Sequence, residues 1–163
     1  MNYDEDKVEK LYQENLRHAS RLLASLPVAD GREPSPHTLS GWVYEQTIRH
    51  CLCAELAAQG LSPKVEEQMA LSGRAKVDLL VGTAAVEIKA LGSFGHDAEK
   101  YTRYRAKAES KGWAYLYVTR CESYEPYRLA TVDAFGKARA FFLDTAGDWE
   151  RFVREVANHA ANK

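Results

Sequence analysis

Apolar and polar positions are patterned most sharply over residues 76–90, KVDLLVGTAAVEIKA, where two short runs rich in Val, Leu, Ile and Ala flank Gly82-Thr83. A Gly-X pair between two such runs predicts a two-residue hairpin whose first turn residue takes a positive φ. The turn fixes a register, with Val81 against Ala84, Leu80 against Ala85, Leu79 against Val86 and Asp78 against Glu87. Alternation then yields one apolar face, carrying Val77, Leu79, Val81, Ala84, Val86 and Ile88. On the other face Lys76, Asp78, Glu87 and Lys89 surround Leu80 and Ala85. The first face is expected to be core. On the second, two carboxylates stand opposite each other at roughly 5 Å between Cβ atoms, which is unfavourable without positive charge between them. Two readings stay open: a solvated strand face neutralised by Lys76 and Lys89, or a site for a hard divalent ion. Mg2+ takes one or two carboxylates and leaves its other positions to water and phosphate oxygens.

Helical spacing governs the flanks. Over 4–26, Val8, Leu11, Tyr12, Leu16, Ala19, Leu22, Leu23 and Leu26 recur as on an amphipathic helix that Pro27 ends, with Arg17, His18 and Arg21 on its polar side. The Pro- and Gly-bearing stretch 27–37 reads as a loop that leaves this helix as an appendage to the core. Ser35 or Thr38 caps a second helix through Trp42, Val43, Ile48, Leu52 and Leu56 to Gly60. Glu45 lies on its apolar stripe, where an acid needs a partner; Arg49, one turn on, is the simplest. Residues 64–71 predict a strand with Glu66 and Glu67 exposed, turning at Ser72-Gly73 into the hairpin.

After Lys89, Gly92-Ser93-Phe94-Gly95-His96 reads as a glycine-bearing loop. Asp97 caps a helix to Lys111, with Lys100, Arg103, Lys107 and Lys111 in a stripe bordered by Tyr101 and Tyr104. Basic residues beside aromatics suit a phosphate backbone, although Asp97, Glu99 and Glu109 equally fit a solvated face. The uncharged run 113–119 is expected as a strand buried on both faces and reached by a right-handed parallel crossover. Residues 128–134 and 137–143 read as further strands. Thr145 or Asp144 then starts a last helix with Trp149, Phe152, Val153 and Val156 inward.

A chain of 163 residues, 45% hydrophobic and 28% charged, is expected to fold as a single α/β domain around a mixed sheet flanked by helices. Within that span, 1–26 is an N-terminal helix, 27–37 a loop, 38–119 the core and 120–163 a C-terminal elaboration. No apolar run approaches the roughly 20 residues that span a bilayer, and the charged N-terminus lacks a signal-peptide pattern, so a cytoplasmic protein with no membrane partner is expected. Cys51, Cys53 and Cys121 have a poor zinc spacing and read as reduced thiols. A net charge of −1 provides no overall attraction to nucleic acid. Such a partner must be held by a local basic patch together with metal.

Asp78, followed by Glu87-Ile88-Lys89 on the next strand, resembles the PD-(D/E)xK signature of the restriction-endonuclease-like nucleases, with Val77 in place of the proline. Gly41-x-x-x-Glu45 on the preceding helix is similar to the one that supplies an extra acidic ligand in the Holliday-junction-resolvase-like branch. The resemblance covers about 38–119 and implies a core of helix, three strands, helix and strand. It implies phosphodiester hydrolysis with Mg2+ or Mn2+ held by Glu45, Asp78, Glu87 and the Ile88 carbonyl. Asp78, Glu87 and Lys89 would be catalytic, with Lys89 positioning or deprotonating the attacking water. Lys100, Arg103, Tyr104 and Lys107 would bind nucleic acid, DNA before RNA, and a homodimer is a candidate assembly. On this reading Asp78→Ala or Lys89→Ala leaves folding intact and abolishes cleavage. The alternatives are a catalytically silent module of the same fold that binds nucleic acid, or one that binds a protein partner.

Overall fold

The structure, a computed structural model, describes residues 3–26, 34–91 and 97–161. Its elements run α1 (Glu5–Ser25), α2 (Pro36–Ala58), β1 (Val65–Ser72), β2 (Ala75–Val81), β3 (Ala84–Lys89), α3 (Ala98–Ser110), β4 (Ala114–Thr119), α4 (Glu125–Phe135), β5 (Ala140–Phe142) and α5 (Asp148–Ala160). The strands form one mixed sheet in sequence order, antiparallel from β1 through β3 and parallel from β3 through β5. The succession of helix, three strands, helix and strand expected over 38–119 is therefore present. None of the described helices is long and apolar enough to cross a membrane.

The hairpin turns at Gly82 with φ +60°, and Leu79, Leu80 and Val81 pair with Val86, Ala85 and Ala84 as the alternation required. The expected pairing of Asp78 with Glu87 is not part of this ladder, which ends one step earlier. The division into one apolar and one polar face also needs correction, because both faces of the sheet are buried. On one side Leu79, Val81, Val86, Ile88, Leu116 and Val118 pack with residues of α2 and α5, among them Ile48, Leu52, Phe152 and Val156. On the other, Val77 joins Leu80, Ala85, Tyr115 and Tyr117 beneath Tyr101 and Ala108 of α3 and Phe135 of α4. Two helices over that face turn what alternation made a solvated surface into a second core. β4, buried at all six positions, lies between β3 and β5 as its uncharged sequence predicted.

α1 is not an appendage in its first half. The Tyr12 ring meets Tyr44 of α2 edge-on with centroids 5.2 Å apart, and its hydroxyl lies 2.9 Å from Ser40 Oγ. Glu9 Oε2 takes Arg120 Nε at 2.7 Å, so the helix is also tied to the end of β4. Its second half is looser, with Leu22 and Leu26 exposed. Ser35 caps α2 by accepting Thr38 N, while Asp97 precedes α3 without a side-chain cap.

The strand expected over 128–134 is α4 instead. Pro126 stands in its first turn and Gly136 ends it with φ +91°. Thr131, Ala134 and Phe135 are buried at helical spacing, three and four apart. The strand expected over 137–143 shortens to β5, and α5 begins at Asp148, later than Thr145 or Asp144. Its inward residues Trp149, Phe152, Val153 and Val156 are as expected. The three cysteines are free, and burial pushes the Cys51 thiol up to about 12. The loop at 92–96, with His96, and most of the 27–37 loop lie outside the described residues.

Candidate functional site

The end of the β2–β3 ladder is where the acidic residues gather. Beyond Leu79 the two strands part, and the Asp78 side chain fills the gap: its Oδ2 accepts the Ile88 backbone N–H at 2.7 Å. Across on β1, Gln68 is the one non-glycine residue with positive φ among those described, at 53°. It lies between the pairs Glu67↔Leu79 and Met69↔Val77, opposite Asp78, and donates its side-chain amide to Asp78 Oδ1 at 3.3 Å. A left-handed glutamine is an unfavourable backbone state that its surroundings must hold. Asp78 is thus oriented from two sides by neighbouring strands.

Glu87 and Lys89, two apart on β3, share one face. Lys89 Nζ stands between the carboxylates, 2.5 Å from Glu87 Oε1 and 3.8 Å from Asp78 Oδ2. The other Glu87 oxygen accepts the Tyr115 hydroxyl from β4 at 3.2 Å. Burial pushes the Glu87 carboxyl above its usual range; the Lys89 charge opposes that shift and Asp78 adds to it. For Lys89, burial alone would lower the pKa, but Glu87 and then Asp78 outweigh it and hold the ammonium above its ordinary value. Burial and the Glu87 charge likewise raise the Tyr115 phenol, which keeps the proton it donates.

Glu45 reaches the same cluster from α2. Burial raises its carboxyl to about 7, with the Asp78 charge adding to the shift and Lys89 partly offsetting it. The expected ion pair with Arg49 is absent: Arg49 Nε pairs with Glu67 at 2.9 Å, because α2 turns that guanidinium toward β1. Among the described residues no hydrogen bond or ion pair holds the Glu45 carboxylate. Glu45 and Lys89 line a cleft of about 470 Å3 together with Ile88, Trp42 and Lys100.

Of the predicted residues, then, Asp78 and Glu87 meet at Lys89, while Glu45, Ile88, Lys89 and Lys100 line the cleft, whose described lining includes neither Asp78 nor Glu87. The remaining nucleic-acid candidates do not line the cleft. Arg103 is exposed on α3, Tyr104 packs against the second core with its ring 5.9 Å from Lys100 Nζ, and Lys107 donates to Ser72 Oγ at 2.6 Å. Sequence reasoning missed Gln68 and Tyr115. Tyr115 carried a faint signal, a hydroxyl at an alternate position of an uncharged strand, whereas nothing in the sequence marks a left-handed Gln68. A second cavity of about 750 Å3, between α1, α2 and α5 and lined by Glu55, Trp149 and Glu150, contains none of these residues.

The three carboxylates near one ammonium form an all-oxygen donor set with excess negative charge, which is the chemistry a hard divalent cation favours. Their placement fits less well. Among the described residues no three His, Cys, Asp or Glu side chains stand close enough to hold an ion, and Lys89 already occupies the position between Asp78 and Glu87. Compared with known proteins, the chain matches no family model, no curated protein and no solved structure.

Proposed function

We propose that this protein is a metal-dependent nuclease that hydrolyses phosphodiester bonds, most readily those of DNA. The observation that carries the reading is the parted end of the β2–β3 ladder. There Lys89 lies within ion-pair distance of both Asp78 and Glu87 from adjacent strands, and Glu45 of α2 shares the cleft with Lys89 and feels the charges of all three. Mg2+ or Mn2+ would be held by Asp78 and Glu87, with the Ile88 carbonyl and Glu45 as further oxygen donors, once Lys89 leaves the position it holds between the two acids and the carboxylates draw closer than they stand here. Such an ion would lower the pKa of a coordinated water and offset charge on the scissile phosphate.

The chain's own groups do the rest. Gln68 and the Ile88 amide fix the direction of Asp78, and Tyr115 fixes one oxygen of Glu87. With both acids beside it Lys89 holds its proton, and in that state it would orient water and stabilise the oxyanion. Lys100, on the cleft wall, supplies a phosphate contact.

One observation favours a second reading. An ammonium already neutralising the two acids suits a silent module of the same architecture that binds nucleic acid without cutting it. The separating experiment incubates plasmid, linear duplex and single strands with the purified chain in Mg2+, Mn2+ or EDTA, with Glu87→Gln as control. Strand scission that needs metal and disappears in Glu87→Gln is expected. Binding without scission under every condition leaves the silent module.

A further inference from the structure

The α2 surface turned toward the cleft carries Thr38, Gly41, Trp42 and Glu45, spaced three and four apart on one side of the helix. Trp42 is 56% exposed, unlike Trp149, which is buried in the core, and Trp113, which is half-buried with the Lys111 ammonium 5.2 Å from its ring. An indole left in water beside a cluster of charges has no packing reason to be there. Its neighbour Gly41 is equally unexplained by packing. Among the described residues a Cβ at that position meets nothing within 4 Å, so the helix carries an unfavourable interior glycine that none of them requires by close approach. Together the two residues present a flat aromatic surface beside an open floor, in a cleft whose far side holds Lys89 and Lys100.

We infer that Trp42 is a stacking platform for one unpaired base next to the bond being cut, so that the substrate carries a single-stranded nucleotide at the cleft. The inference rests on the nuclease reading and specifies its substrate class. Stacking on an indole needs a base with a free face. Bases inside a duplex have both faces covered, whereas those of single strands, flaps and junctions do not. Lys100 would meet the phosphate while the base lies on Trp42 and the sugar passes over Gly41. A cleft of about 470 Å3 has room for a nucleotide.

The test uses the full chain in EDTA, with fluorescein-labelled oligo-dT and a blunt duplex of equal length, read by anisotropy. Trp42→Ala is expected to weaken single-strand binding by roughly 5- to 150-fold, the worth of one stacked base, and to change duplex binding by less than about twofold. Trp42→Phe, which keeps an aromatic face, is expected to stay within about threefold of wild type. Equal loss on both ligands, no loss on either, or failure of the wild type to bind the single strand overturns the inference. Cleavage in Mg2+ separates the two proposals. A wild type that stacks the strand but never cuts leaves the base site standing without hydrolysis. Metal-dependent cutting that Trp42→Ala leaves indifferent to strandedness leaves hydrolysis without the base site.

Discussion

The Asp78 carboxylate is occupied on both oxygens, Oδ2 by the Ile88 amide at 2.7 Å and Oδ1 by the Gln68 side chain at 3.3 Å. Asp78→Ala therefore does more than remove a charge: it strands a backbone N–H where the strands part, at a cost of roughly 1–3 kcal/mol. The expectation that this variant folds as well as wild type is replaced by a different one. Asp78→Asn, which keeps an acceptor, should unfold in urea close to wild type, and Asp78→Ala should lose about that amount. Equal stability of the two variants would show that Ile88 finds another partner. Glu45 makes a second prediction. Its folded pKa of about 7 lies above the ordinary 4.5, so it adds stability that is fully present below about pH 4.5 and is lost as pH rises through 7. Two to three units at about 1.36 kcal/mol each, discounted for a half-exposed group, come to roughly 1–2 kcal/mol. Glu45→Gln should therefore gain that much over wild type at pH 8 in EDTA and little at pH 4, measured by chemical denaturation. Glu45 was legible because an acid on an apolar stripe breaks a pattern, and Asp78, Glu87 and Lys89 because charged residues interrupt the apolar runs of the hairpin at a motif-like spacing. Gln68 was not, because a left-handed backbone leaves no mark in residue type unless glycine or asparagine carries it.

Among the elements, the hairpin is the best specified, and its turn has a second constraint that alternation does not reveal. A Cβ on Gly82 would come within 2.5 Å of the His159 carbonyl oxygen, while Thr83 Oγ1 lies 3.2 Å from His159 Nδ1. The turn is pressed against the end of α5. Gly82→Ala must therefore absorb both a left-handed φ and a backbone clash, and a loss of about 2 kcal/mol or more in thermal or urea denaturation is expected. A loss no larger than that of an exposed glycine would mean α5 yields easily. α4 shows where local pattern misleads. Over 128–134 the apolar residues satisfy either period, and only Pro126 in the first turn and Gly136 past the end distinguish helix from strand. Elements with one dominant period, such as α1 and α5, were legible. The covering of the second sheet face was not, since it depends on α3 and α4 arriving from elsewhere in the chain.

On the scale of the molecule, a net charge of −1 means that a polyanion, if the proposed function holds, would have to be attracted by local features such as Lys100 on the cleft wall. On the proposed reading, Lys89 and a divalent ion would compete for the space between Asp78 and Glu87. Lys89→Met is accordingly expected to bind Mn2+ about tenfold more tightly than wild type by calorimetry, because one unit charge at such distances is worth about 1–4 kcal/mol. Weaker Mn2+ binding in that variant would place the ion elsewhere. The parted ladder has one more consequence, for how relatives of this chain are to be read. An oxygen at position 78 closes the seam between two strands whether or not any reaction occurs, so a descendant that had lost all chemistry would still keep Asp or Asn there. Glu87 accepts only side-chain partners in the described structure. If the proposed hydrolysis is real, replacement of Glu87, rather than of Asp78, is the mark by which a relative that had lost it would be recognised.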